Sequence, residues 1–187
     1  NSGRNLLAGA GSATSALAFG AEPASALTEQ WNGTNWTEVA DLATARYELM
    51  GSGTSNAYSG GIYDTGGGSE LTATEEWTGA GAAIGVWSTG GTLNTARDQV
   101  FGGAGTQTAA LLAGGSPPPA GATVTESYNG SNWTEVNDLS TGRRALAMSG
   151  ATNTASLVFG GVAPPGDLAV TETWNGTNWT EVNDLTT

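Results

Sequence analysis

The residues best equipped for chemistry are the arginines and the acids that travel with them. Arg4, Arg46, Arg97 and Arg143 stand 42, 51 and 46 residues apart. A guanidinium is a planar fork that grips a carboxylate or a phosphate. Four such forks could form an anion site, or each could pair with carboxylates of its own or a neighbouring repeat and only hold the chain together. The acids have a fixed arrangement too. If Trp174 and Trp179 face each other across the loop Asn175–Asn178, Glu172 opposes Glu181 on the same face of the strand pair. The same count sets Glu29 against Glu38 and Glu126 against Glu135. Like charges directly opposite are destabilising, so a cost written three times calls for a compensating feature. An Arg fork could bridge the two carboxylates, oxygen ligands could hold a metal ion, or a bulge could break the parity and separate the acids. The Arg-bridged version is the expectation adopted here, which makes Arg4, Arg46, Arg97 and Arg143 a structural series.

Other catalytic equipment is sparse. The 187 residues include no His and no Cys, which removes the commonest general base, thiol chemistry and disulfides. No nucleophile elbow or phosphate-binding loop is present. A net charge of −12 repels nucleic acid and anionic membranes. No apolar run approaches the ~20 residues of a membrane-spanning helix. Asp64, Glu70 and Asp167 sit in long polar loops and could ligate Ca²⁺, but their spacing fits no EF-hand pattern. They read as solvated, and neither a metal nor a cofactor is expected. Asn32-Gly33-Thr34 and Asn35-Trp36-Thr37, with their later copies, match the N-glycosylation pattern. Their position in a hairpin loop favours turn-making Asn instead.

These groups are carried by a repeated element. Thr171-Glu172-Thr173-Trp174-Asn175-Gly176-Thr177-Asn178-Trp179-Thr180-Glu181-Val182 reads as two short strands around an Asn-Gly turn. It recurs at Thr28–Val39 and, with Tyr128 for the first Trp, at Thr125–Val136, while a stretched version spans Thr74–Trp87. The second Trp recurs at Trp36, Trp87, Trp133 and Trp179, spacings of 51, 46 and 46. Two short strands precede each hairpin, and no stretch holds a helical period. The chain therefore divides at about 2–44, 45–95, 96–141 and 142–187, and is predicted to be all-β, with four four-stranded antiparallel units. Beginning without Met and stopping at a repeat boundary, it reads as a segment of a longer chain.

The order Arg, small-residue strand, Gly-Gly, aromatic, Trp resembles the Kelch repeat. It is clearest in Arg143, Leu157-Val158-Phe159-Gly160-Gly161, Trp174, Trp179 and Asp184-Leu185. The wording Asn-Gly-Thr-Asn-Trp-Thr-Glu-Val is similar to repeats of bacteriophage and marine microbial proteins. The departures are Trp where the family usually has Tyr, a shortened spacing to the second Trp, and Gly20-Ala21 in place of a Gly pair. The resemblance implies a β-propeller of four blades, either closed or part of a larger ring, with the Trp residues packed between blades. Trp as a sugar-stacking platform is the other reading, and would need a Trp at the rim. Propeller oxidases similar to galactose oxidase need His and Cys-linked Tyr, which are absent, and a sialidase-like Asp box is absent too. The expected function is a non-catalytic binding or assembly module, extracellular or on a virion, that recognises a protein or a glycan. The resemblance places the variable loops on one face, at about 21–27, 63–71, 116–122 and 162–169, with Tyr63, Asp64, Glu70, Pro118, Pro119, Pro165 and Asp167 as candidate contacts. The alternatives are a purely structural segment of a fibre or filament and, third, a glycan-processing enzyme.

Overall fold

A computed structural model of the chain describes residues 3–53, 57–60, 72–79, 85–116 and 122–186, with the backbone alone at 57–60. Among these the protein is all-β. The first sheet holds β1 (Ala8–Ser12), β2 (Ser15–Phe19), β3 (Thr28–Trp31) and β4 (Trp36–Glu38), and the second β5 (Met50–Gly53), β6 (Ala57–Gly60), β7 (Thr74–Thr78) and β8 (Val86–Thr89). The third holds β9 (Ala104–Thr106), β10 (Ala109–Ala113), β11 (Thr125–Tyr128) and β12 (Trp133–Val136). In the fourth, β13 (Ala147–Thr152) and β14 (Ala155–Phe159) are followed by a small hairpin, β15 (Val162–Ala163) and β16 (Gly166–Asp167), before β17 (Thr171–Trp174) and β18 (Trp179–Val182). Each sheet is an antiparallel meander built from one stretch of the chain, and among the described residues no strand is exchanged between the ends.

The outer hairpin shows why the repeat folds as it does. Asn175 Oδ1 accepts from the backbone N–H groups of Thr177 and Asn178, both at 2.9 Å, while Gly176 takes φ 92°. Asn32 and Asn129 form the same turns, with Gly33 and Gly130 at φ 93° and 91°. These side-chain acceptors fix the turn and set Trp31 opposite Trp36, Tyr128 opposite Trp133 and Trp174 opposite Trp179. Strand alternation then gives every sheet two unlike faces. One carries the paired aromatic rings and the Glu residues. The other carries mainly small and aliphatic side chains such as Leu17, Leu111 and Ala113, with Phe19 among them.

From the second sheet on, the aromatic face of each packs on the aliphatic face of the sheet before it. Trp77 and Trp87 meet Leu17 and Phe19, the Phe19 and Trp87 rings lying edge-to-face with centroids 5.0 Å apart. Tyr128 and Trp133 cluster with Met50, and Trp174 and Trp179 with Leu111 and Ala104. Across two of these junctions an indole N–H reaches the threonine that opens the third strand of the preceding sheet: Trp87 to Thr28 Oγ1 and Trp179 to Thr125 Oγ1, both 3.0 Å. Along the series β1 packs on β5, β5 on β9 and β9 on β13, and among the described residues no comparable packing joins β13 back to β1.

The segment 162–169, expected as an open loop, contains the hairpin β15–β16. Val162 forms a bridge with Arg144, which gives this short segment a strand to lean on.

Candidate functional site

The parity argument's register is present, since Glu29 pairs with Glu38, Glu126 with Glu135 and Glu172 with Glu181. The expected bridge is not. Among the described residues each Arg forms an ion pair with the inner acid alone: Arg4 with Glu29, Arg46 with Glu75 at 2.7 Å, Arg97 with Glu126, and Arg143 with Glu172 at 2.7 Å. The outer acids Glu38, Glu135 and Glu181 point to solvent. Exposure of the outer acid eases the repulsion, because a hydrated carboxylate costs little where a second buried one would cost much, and Arg97 and Arg143 still attract Glu135 and Glu181 without an ion-pair contact.

The inner Glu has further partners. Glu75 accepts the backbone N–H groups of Ala43 at 2.7 Å and Thr44 at 3.3 Å, Glu126 those of Asn94 and Thr95 at 2.7 and 3.2 Å, and Glu172 that of Ser140 at 2.9 Å. The donors lie on the segment that links the preceding sheet to this one. The Arg meanwhile donates to a main-chain carbonyl just before the third strand, such as Val124 O at 2.8 Å from Arg97 and Val170 O at 2.7 Å from Arg143. Burial lowers the pKa of Arg46, Arg97 and Arg143, and the paired Glu opposes that shift in each case. A guanidinium stays charged regardless, so these are buried ion pairs closed off from ligands.

The turn directly after each Arg is different. Leu6, Glu48, Gln99 and Ala145, each two residues beyond the Arg, all have left-handed backbone with φ of 50°, 52°, 50° and 52°. Glu48 N–H donates to Leu6 O at 3.1 Å and Ala145 N–H to Gln99 O at 2.8 Å, so these turns touch from sheet to sheet. The preceding residues are Asn5, Tyr47, Asp98 and Arg144. Four turns that share this left-handed residue thus present four different residue pairs along one rim. Glu48 is close enough to Asp98 and Glu22 to feel both charges; burial first, then those neighbours, raise its pKa. Asp98 is buried, and its Oδ1 has no hydrogen-bond partner among the described residues. Arg144 lies outside the Arg–Glu series and has no ion-pair partner among the described residues.

Described residues of two candidate loops touch the segments that carry the Arg series. Arg46 N–H donates to Ser25 O at 3.1 Å and Arg143 N–H to Ala122 O at 3.2 Å. A Gly pair permits the approach: Gly115, at φ 104°, donates to Arg143 O at 2.9 Å, and a Cβ there would sit 2.5 Å from Val100 Cγ2. Of the expected contact residues, Pro165 and Asp167 are exposed at the β15–β16 hairpin. Tyr63, Asp64, Glu70, Pro118 and Pro119 lie outside the described residues. Sequence reading missed the rim pairs. Their signal was a fixed Arg, then two variable positions, then an apolar residue: Leu7, Leu49, Val100 and Leu146. No protein-family model matches the chain, and no curated protein matches it either.

Proposed function

We propose that the chain is a Kelch-like β-propeller segment of four blades acting as a non-catalytic recognition module, with the rim of Arg-proximal turns and its bordering loops as the binding face. The observation that carries this reading is the variation of Asn5-Leu6, Tyr47-Glu48, Asp98-Gln99 and Arg144-Ala145 over one repeated backbone conformation. Rigid turns with changing side chains are how a scaffold makes a specific surface. Glu48 lies close enough to Glu22 and Asp98 to feel both, so this face carries negative potential. The partner class that fits presents N–H or O–H donors, as a protein surface or a glycan does. Against catalysis, three of the four paired guanidinium groups are buried in ion pairs and the chain has no His or Cys.

A glycan array and a pull-down from the source organism, run in parallel with wild type and Glu48→Arg, test the reading. Capture by wild type that is lost in the variant supports it. Capture indifferent to the substitution places binding elsewhere, and retention of no protein or glycan favours a purely structural segment.

A further inference from the structure

Asn32, Asn129 and Asn175 stand directly before a glycine, and each opens the tip of an outer hairpin. Their side-chain oxygens are engaged. Asn175 Oδ1 accepts the N–H groups of Thr177 and Asn178 at 2.9 Å, and Asn32 Oδ1 those of Thr34 and Asn35 at 2.9 Å. Asn129 Oδ1 accepts those of Ser131 and Asn132 at 3.0 and 2.9 Å. The N–H of the intervening Gly33, Gly130 or Gly176 has no acceptor among the described residues. All three asparagines are exposed. Asn129 is so on the third sheet, which is packed on both faces, so this exposure belongs to the hairpin tip and not to the ends of the series.

A backbone nitrogen that follows an asparagine can attack that side chain's Cγ. Glycine hinders the attack least, because it puts no Cβ beside the nitrogen. The turn contributes in two further ways. It leaves the glycine N–H open to water, where hydroxide can take its proton. It also aims two backbone donors at Oδ1, the atom on which negative charge develops when the nitrogen attacks, as donors do for the tetrahedral intermediate of acyl transfer. No other asparagine in the chain precedes glycine. Asn35, Asn132 and Asn178 share the same tips but precede Trp, and Asn94 has its Nδ2 tied to Glu126 at 2.9 Å and to Trp133 O at 3.0 Å.

We propose that Asn32, Asn129 and Asn175 are self-modifying sites, at which the folded chain converts asparagine to aspartate and isoaspartate. The glycine nitrogen loses its proton to hydroxide and bonds to Cγ. The Cγ–Nδ2 bond then breaks, and the amide leaves as ammonia after taking a proton from water. Water next adds to either carbonyl of the resulting cyclic imide and breaks that carbon's bond to the glycine nitrogen. Opening at Cγ gives aspartate, which keeps an acceptor for both turn N–H groups. Opening at the main-chain carbonyl gives isoaspartate, which adds a methylene to the backbone of the turn. Either product adds negative charge to a chain already at −12. It does so at the tips that set Trp31 opposite Trp36, Tyr128 opposite Trp133 and Trp174 opposite Trp179. Water is the only co-reactant, and the rim and its ligand take no part.

Peptide mapping by mass spectrometry tests this, on the whole chain held in heavy-oxygen water at mildly acidic, neutral and mildly alkaline pH, with circular dichroism following the fold. The expected result is loss of ammonia and uptake of heavy oxygen at Asn32, Asn129 and Asn175 alone, faster as pH rises. The rates are expected to be no lower than in the free peptide Thr-Trp-Asn-Gly-Thr-Asn-Trp, and isoaspartate is detected by its specific enzymatic carboxyl methylation. Gly176→Ala, whose methyl crowds the attacking nitrogen, is expected to slow Asn175 several-fold while Asn32 and Asn129 keep their rates in the same molecule. The variant thus carries its own reference, and the wild-type map stands without it. Asparagines that outlast the peptide's would overturn the proposal, as would conversion spread over asparagines before other residues. So would conversion that proceeds only as denaturant unfolds the chain, or an undiminished rate at Asn175 in Gly176→Ala.

Discussion

At the scale of the residue, the division is between acids that are buried with a cation and acids that are not. Glu126 and Arg97 are both fully buried, and Glu126 also takes two backbone N–H groups and the side-chain amide of Asn94. Removing one partner of a buried pair leaves a charge without its compensation, at a cost of about 3–5 kcal/mol. Arg97→Met is therefore expected to lower unfolding free energy by that order in chemical denaturation. Arg4→Met is expected to cost clearly less, because Glu29 keeps access to water; equal losses would contradict the account. Glu48 follows a different logic. Its pKa is raised, so the folded state keeps a proton that the unfolded chain has already released. Stability must then fall as pH rises from the ordinary Glu value through the raised one. Glu48→Gln is expected to abolish that fall and to melt higher than wild type at neutral pH. Superimposable pH profiles for the two proteins would rule this out.

At the scale of the element, the outer hairpins were legible and the inner turns were not. Asn-Gly announces a turn through residue types that tolerate positive φ, and Trp on either side fixes the register. The left-handed turns at Leu6, Glu48, Gln99 and Ala145 carry no such label, since none is Gly. Tertiary hydrogen bonds from sheet to sheet impose that conformation, and a local reading has no access to them. The Arg–Glu pairing had half a signal: parity brought two acids together, but only burial decides which of them the Arg takes. These two kinds of turn should respond oppositely to substitution. Gly176→Ala puts a Cβ at φ 92° and is expected to cost about 1–2 kcal/mol. Ala145→Gly removes a Cβ from φ 52°, and the strain relieved is expected to offset the ~0.5–1 kcal/mol entropic cost of Gly, leaving stability unchanged or higher. Thermal melts of the two variants check both signs, and a destabilised Ala145→Gly would show that the turn is unstrained.

At the scale of the whole molecule, repetition was evident from the spacing of Arg and Trp, whereas the arrangement of the sheets depends on packing. Identical repeats could stack straight or curve about an axis with the same local contacts. What favours curvature is that the rim turns touch at two junctions, Leu6 with Glu48 and Gln99 with Ala145, and that Glu48 feels the charges of both Asp98 and Glu22. The recognition surface exists only if the rim positions of the first and fourth sheets also converge. Electron–electron double resonance between spin labels on Asn5→Cys and Arg144→Cys measures that convergence, and the absence of native Cys makes the labelling unambiguous. Dilution with excess unlabelled protein removes distances between copies. Sheets stacked straight at ~10 Å would separate the first and fourth by about 30 Å. The propeller account requires a distance distribution centred well below that value, and one centred at or beyond it would contradict the account.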